Sequence, residues 1–230
     1  MKKLIYISTI LCFSISSFAQ IDTTRNETHI FWSNSYQVQT GDFRDTTRST
    51  KNINNCDKYN LCWGAYTGLF SVLDVPKKKR DKKKKHEAIY FVPAFELNTS
   101  YRLTSDSLDY LKQLIVFDMY EIAARKCRIE LDSIYNTNPS IGIKGIFFKS
   151  VETDVQEKLG MMVKGYTQEV YIQQKDGAYT EWRTLIDELL EETKEYQTTA
   201  IDRLRFIKNE PILNGYIKAK KVAGNLFEGK

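Results

Sequence analysis

Strand-like and helix-like patterns occupy separate parts of this 230-residue sequence, and that separation limits the folds it can adopt. Aromatic and β-branched residues dominate two runs, at 61–75 and 88–97, and His29-Ile30-Phe31-Trp32 predicts a strand before them. Pro93 indicates that the second run lies at a sheet edge or a bulge, because proline donates no hydrogen bond to a neighbouring strand. Residues 41–59 are polar and aperiodic, so we expect a long surface loop there, with room for one turn of helix.

Three helical patterns follow in the second half of the chain. The first begins near Thr104 or Ser105, either of which is a suitable N-cap, and ends at Asn136-Thr137-Asn138-Pro139. The second covers residues 151–170, and the third starts near Thr180. The apolar residues of the first pattern recur at steps of three and four and predict a core-facing stripe of Leu108, Leu111, Ile115, Met119 and Ile122.

The segregation of strands and helices predicts an α+β domain, because an α/β fold would alternate them. We expect an antiparallel β-region at about residues 29–97, packed on a bundle of about three helices. The domain would cover residues 20–197. The remaining segment, 198–230, is basic and less regular, which is typical of a tail or a loosely docked helix.

The first nineteen residues have the layout of a secretory signal peptide. Lys2 and Lys3 precede an apolar run from Leu4 to Phe18, and Ser17-Phe18-Ala19 provides a small-x-small cleavage site. The apolar run is too short to span a bilayer, and no later segment has transmembrane character. We therefore predict that residues 1–19 are removed and that the protein is exported, either to a periplasm or out of the cell.

Charge and cysteine content describe the exported chain further. Removing Lys2 and Lys3 lowers the formal net charge from +5 to +3, so the mature chain is only mildly basic. In an oxidising compartment Cys56 and Cys62 can close a short loop as a disulfide, which leaves Cys127 alone. The alternative is that Cys56 and Cys62 are two unpaired side chains in a loop. The absence of a second cysteine pair in the sequence argues against a zinc ribbon.

A block of eight positive charges in nine residues, 77–85, separates the two strand patterns. Like charges repel one another and resist burial, so we expect this block to form the solvated tip of a long hairpin. Such loops commonly do no more than improve solubility. The functional alternative is a site for an anionic surface, made of Lys77, Lys78, Lys79, Arg80, Lys82, Lys83, Lys84 and Lys85.

The first predicted helix carries a short motif in its middle. Phe117-Asp118 is followed by Glu121 and then by Ala124-Arg125. In this order and spacing the residues resemble the His-Glu-Gln-x-His-Phe-Asp-x-x-Glu-x-x-Ala-Arg signature of a bacterial secreted family of zinc-dependent proteases. The resemblance extends over about residues 30–195 and implies a zinc-peptidase-like domain.

Two further patterns accompany this motif in the order that the family shows. Trp32-Ser33 followed nine residues later by Asp42-Phe43 is similar to the family's opening Trp-Ser and Asp-Phe pattern. Near the end of the region of resemblance, the spacing of Trp182, Ile186 and Leu190 resembles the family's closing Trp-x-x-x-Ile-x-x-x-Leu helix.

The polar residues that the family uses for zinc chemistry are replaced in this chain. In register, the two histidines fall on Lys112 and Val116, and the catalytic glutamate falls on Gln113. Zinc needs neutral imidazole or anionic ligands, and a carboxylate must activate its water, so these three side chains serve neither purpose. The family's later Tyr-Asp-x-x-Thr-x-His-Gly segment reads Tyr171-Ile172-Gln173-Gln174-Lys175-Asp176-Gly177, which lacks the Asp and the His. We therefore interpret Lys112, Gln113, Val116 and Glu121 as a vestigial site and predict no catalytic residue, metal or cofactor.

The alternative, in which the protein is still an enzyme, requires a metal site at other residues. Asp118 and Glu121 are three residues apart and share a helix face, and His29 or His86 would have to complete the ligand set. Glu121 is also four residues from Arg125, which suits an ion pair. We expect Asp118 to be a hydrogen-bonding acid and Glu121 to be an ion-pair partner.

The sequence thus favours a non-catalytic exported relative of the protease family that acts as a binding or interaction module. One alternative is a divergent metal-dependent hydrolase with a relocated site. Another is an envelope-associated binder of anionic surfaces through the loop at 77–85. The expected partners are an anionic envelope surface or another exported protein.

Overall fold

The computed structural model describes residues 23–78, 80–81, 86–105, 107–137 and 144–220. Within these residues the chain combines five α-helices with a four-stranded and a two-stranded antiparallel sheet, which confirms the predicted α+β class. Three predicted features lie outside the described residues: the signal peptide at 1–19, the lysines Lys79 and Lys82–Lys85, and the last part of the tail at 221–230.

The strands are β1 (His29–Phe31), β2 (Trp63–Gly64), β3 (Thr67–Pro76), β4 (Ala88–Glu96), β5 (Tyr101–Arg102) and β6 (Tyr216–Lys218). The helices are α1 (Thr50–Tyr59), α2 (Ser107–Thr137), α3 (Lys144–Thr167), α4 (Ala178–Glu192) and α5 (Ala200–Lys208). A π-helical turn, Gln168–Ile172, follows α3 directly.

The larger sheet has the order β1-β4-β3-β6. Its β4 strand lies between two neighbours, so the expectation that Pro93 marks an edge is wrong for the strand as a whole. The local geometry explains why proline is accepted. β1 ends at Phe31, opposite Ala94, and the Pro93 carbonyl still accepts a hydrogen bond from the Trp32 amide at 3.1 Å. Arg203 donates to the Trp32 carbonyl at 3.3 Å and so replaces the amide that proline lacks.

The main hydrophobic core lies between the sheet and the helices α2, α3 and α4. Ile115, Met119 and Ile122 of α2 are buried there against Leu73 and Phe91 of the sheet. The predicted stripe fails at Leu111, which is 40% exposed and lines a surface cavity. No helix in the described part of the chain is both long and apolar enough to cross a membrane.

Residues 41–59, expected to be a loop, contain the ten-residue helix α1. Local capping accounts for it: the Ser49 side chain accepts a hydrogen bond from the Asn52 amide, and Asn60 ends the helix in the left-handed conformation. A disulfide between Cys56 and Cys62 then fixes the end of α1 to the chain before β2.

The segment after Gln197 forms α5 and β6. α5 lies on the opposite side of the sheet from α2, where Phe206 and Ile207 pack on a buried cluster that includes Val92. Arg205 makes two hydrogen bonds to Asp74 of β3, at 2.6 and 2.8 Å, and both side chains are buried. The first half of the predicted tail is therefore docked on the sheet by an ion pair and by strand pairing.

Candidate functional site

Gln113, which the sequence resemblance aligns with a catalytic glutamate, is buried in α2. Its Oε1 accepts a hydrogen bond from the Ala65 amide at 3.1 Å, and its Nε2 donates to the Tyr171 hydroxyl at 2.5 Å. Both ends of the side-chain amide are thus occupied by protein partners. Gln113 joins α2 to the loop before β3 and to the π-helical turn.

Lys112 lines a cavity of about 290 Å³, which we call the Lys112 cleft. Its Nζ lies 3.2 Å from Asp109 Oδ1, and its backbone carbonyl accepts from the Tyr166 hydroxyl at 2.6 Å. The cleft opens between the end of α1, the start of α2 and the turn that leads into α4. Its walls are Tyr59, Asn60, Lys112, Val170, Tyr171, Gln174, Lys175, Asp176, Gly177, Tyr179 and Thr180.

The rim of the Lys112 cleft has unusual backbone geometry. The φ angles of Asn60, Gln174 and Gly177 are 55°, 49° and 78°. Residues other than Gly, Asn and Asp rarely adopt positive φ angles. The π-helical turn ends at Ile172, just before Gln174. Such turns and such backbone conformations concentrate at functional sites, because the surrounding structure must offset their cost.

Two buried tyrosines lie behind the cleft. Tyr171 and Tyr166 meet edge to face with ring centroids 6.0 Å apart. Burial raises the pKa of both phenols, so both stay protonated at neutral pH. Their hydroxyls serve as fixed donors and acceptors rather than as a source of protons for catalysis.

Of the four positions predicted as a vestigial site, Lys112 lines the cleft, whereas Gln113, Val116 and Glu121 do not. Val116 packs against the main core. Glu121 lies eight residues beyond Gln113, about 12 Å along the helix axis. It accepts hydrogen bonds from Arg125 Nε at 2.7 Å and from the amide and hydroxyl of Thr198 at 2.8 and 2.6 Å. Burial raises the pKa of Glu121, while Arg128 and Arg125 oppose that shift.

The acidic and basic residues that match the family's motif tie helices together. Asp118 accepts from the Trp32 indole at 2.9 Å and from Arg183 of α4 at 2.7 Å. The Arg125 guanidinium lies 5.0 Å from the centroid of a Trp32 ring and donates to the Leu190 carbonyl at 2.5 Å. These contacts give Asp118 and Arg125 a structural role, and the pairing of Glu121 with Arg125 is present as expected.

A second cavity, of about 310 Å³, lies beside the Lys112 cleft, and we call it the Leu111 cavity. The two share Tyr179, and α2 contributes Lys112 to the first and Leu111, Leu114, Phe117 and Asp118 to the second. The segment 32–38 closes the far side. The walls are Trp32, Ser33, Asn34, Tyr36, Gln37, Val38, Leu111, Leu114, Phe117, Asp118, Tyr179, Arg183 and Leu190.

The residues present do not suit the zinc ion of the resembled family. Among the described residues, no three His, Cys, Asp or Glu side chains are grouped to hold a metal ion. His29 lies on the sheet beside Glu96 and Phe70. His86 contacts Tyr135, which lies 23 residues beyond Lys112 and so roughly 35 Å along α2. We derive no catalytic step through a metal.

The remaining predicted site residues lie elsewhere. Lys77, Lys78 and Arg80 are exposed in the connection between β3 and β4, and the Arg80 side chain is 79% exposed. The disulfide between Cys56 and Cys62 encloses Tyr59 and Asn60, so it braces one wall of the Lys112 cleft. Cys127 is buried, and burial raises the pKa of its thiol to about 12, which makes it unreactive at neutral pH.

Comparison with protein-family models, curated proteins and solved structures finds no match for this chain. The functional proposal therefore rests on the geometry of the site. Sequence reasoning missed Tyr59 and Tyr179 as site residues, because they come from separate elements that only the fold brings together. The one local signal was the helix-breaking Lys175-Asp176-Gly177 stretch, which now forms part of the rim.

Proposed function

We propose that this protein is an exported, non-catalytic relative of the zinc-dependent proteases that its sequence resembles, and that it binds a ligand in the Lys112 cleft. One observation carries the proposal. The two segments in which the family's polar residues are replaced, around Gln113 and around Tyr171, hydrogen-bond to each other beside an open polar cavity. A cleft of this kind suits binding after hydrolytic chemistry has been lost.

The chemistry of the side chains supports a non-catalytic role. Lys112 is a cation, Val116 is apolar, and the Gln113 amide has a protein partner at each end. Glu121, the remaining carboxylate of the vestigial site, is buried and bonded to Arg125 and Thr198. A general base needs access to a water or a substrate proton, which this carboxylate does not have.

Export is supported by the cross-link at the cleft. Disulfides persist mainly in oxidising compartments, and Cys56 and Cys62 are bonded. This agrees with the signal-peptide layout of residues 1–19, and we include a periplasmic or secreted location in the proposal.

The test is zinc content and peptide hydrolysis by the mature chain, residues 20–230. We expect sub-stoichiometric zinc by elemental analysis and no turnover of a fluorogenic peptide mixture with added zinc. Near-equimolar zinc that survives mild chelation, or zinc-dependent turnover, would overturn the proposal. A matched variant carrying Lys112→His, Gln113→Glu and Val116→His should also lack turnover. The Tyr171 segment lacks the Asp and the His of the resembled family, so the polar groups that would orient the metal ligands are missing.

A further inference from the structure

The Lys112 cleft and the Leu111 cavity are two cavities that adjoin at Tyr179, and we call the pair the groove. Each has about 300 Å³ of space, at 290 and 310 Å³, which places each at the small end of ligand pockets. Tyr179 lies where they meet, since it lines both. A ligand that occupied both would be elongated and would pass over this ring.

The walls of the groove disfavour an extended peptide. None of the described lining residues belongs to β1–β6; they lie on helices, on the π-helical turn, on Asn60 after α1, and on the segments 32–38 and 174–177. Extended peptides commonly gain affinity by pairing with an exposed strand edge, whose backbone groups they satisfy. The groove offers no such edge.

The cations of the groove are balanced by neighbouring carboxylates. Lys112 lies 3.2 Å from Asp109, and Lys175 lies 3.9 Å from Glu181. Arg183 lies within 2.7 Å of carboxylate oxygens of Asp118 and Asp187. Because these charges are compensated locally, the groove carries little net field to select a charged ligand.

Apart from the Asp176 carboxylate, which only accepts, most other polar groups of the groove both donate and accept hydrogen bonds. They are amides and hydroxyls interleaved with phenol rings: Asn34, Tyr36, Gln37, Tyr59, Asn60, Gln174, Tyr179 and Thr180. A sugar ring presents the matching chemistry, since each hydroxyl donates and accepts while the C–H faces are apolar and pack on aromatic rings. Leu111, 40% exposed, adds an apolar contact at one end.

We infer that the groove binds a neutral oligosaccharide, with Tyr179 as the platform for a central sugar ring. The inference deepens the proposed function, since it names the ligand class of the same cleft. Asn60 and Tyr59, held by the disulfide, would contact the ring in the Lys112 cleft. Gln37 would contact the ring in the Leu111 cavity, as would the side-chain oxygen of Asn34, whose Nδ2 donates to Gln197 at 2.6 Å.

Titration calorimetry tests this with three probes on the mature chain: tetrasaccharides of β-1,4-N-acetylglucosamine, β-1,4-glucose and α-1,4-glucose. We expect saturable one-to-one binding of at least one of them. Tyr179→Ala should weaken that binding by about tenfold or more, because the stacking face is removed. Tyr66→Ala, at a tyrosine 48% exposed and outside the groove, is the matched control and should bind like the wild type.

Leu111→Lys provides a second variant, since this exposed position tolerates substitution and a lysine there would obstruct the groove. Loss of binding in this variant with an unchanged melting temperature supports the inference. Binding by none of the three tetrasaccharides, or binding that both groove variants leave unchanged, overturns it. Binding of a control peptide mixture instead overturns the glycan class but leaves the non-catalytic binding role intact. Zinc-dependent peptide hydrolysis would contradict the non-catalytic role, whatever the result with the tetrasaccharides.

Discussion

Gln113 connects three parts of the chain through one side-chain amide. The helix pattern places it on α2, and the motif register marks it as a replaced position. Its partners, Ala65 and Tyr171, are 48 and 58 residues away in sequence. Periodicity encodes which face of a helix is buried, but not which distant polar atoms a buried amide will meet. The sequence therefore predicts that position 113 lies on a helix, whereas the contacts of its side chain could not be predicted.

Gln113→Ala should destabilise the fold by roughly 2–3 kcal/mol, because it leaves the Ala65 amide and the Tyr171 hydroxyl without their buried partner. Urea unfolding followed by circular dichroism measures the change. Gln156→Ala, at an exposed position of α3, is the control and should stay within about 0.5 kcal/mol of the wild type. A Gln113→Ala variant as stable as that control would mean that the amide contributes nothing to the fold.

At the scale of elements, α1 shows where composition misleads. The segment 41–59 is polar, so its composition suggests a loop. The helix forms because its two ends are capped, by Ser49 and by the left-handed Asn60, and because the Cys56 to Cys62 bond holds its last turn. By contrast, α2, α3 and α4 each bury an apolar face, and all three were predictable. Helices rich in buried apolar residues are recognisable from composition, whereas a short polar helix is not.

Replacing both Cys56 and Cys62 with alanine should lower the free energy of unfolding by about 2 kcal/mol, the loop-closure contribution for so short a ring. The same variant should bind the groove ligand more weakly than the wild type, because Tyr59 and Asn60 lose their brace. Chemical denaturation and titration calorimetry give the two values. Cys127→Ala is the control for a cysteine outside the disulfide and should leave ligand affinity unchanged. Equal ligand affinity in the disulfide variant and the wild type would show that the cross-link does not shape the cleft.

The whole molecule is a sheet covered on both sides, with α2 and α3 on one side and α5 on the other. The α+β class and the hairpin of β3 and β4 follow from the separation of patterns along the sequence. The docking of residues 198–220 does not, because α5 is short and its attachment depends on Arg203 and Arg205. From the sequence, arginines in a basic segment are expected at the surface. In the fold, Arg205 donates to the buried Asp74 carboxylate and Arg203 donates to the Trp32 carbonyl.

Arg205→Met should destabilise the whole domain by roughly 3–5 kcal/mol, because it leaves Asp74 buried without a partner. A double variant, Asp74→Leu with Arg205→Met, should recover much of this loss, since no lone charge remains. Thermal and urea unfolding of both variants measures the effect. Lys208→Met, at an exposed position at the end of α5, is the control. A single variant that unfolds like this control would contradict a docked C-terminal segment.

The contacts of Arg203 join distant parts of the chain. This side chain donates to the carbonyls of Thr23 and Trp32, so α5 holds the chain on either side of β1. A chain that ends before α5 lacks these contacts and the ion pair of Arg205 with Asp74. Because the contact with Trp32 spans 171 residues, we expect it to form late in folding.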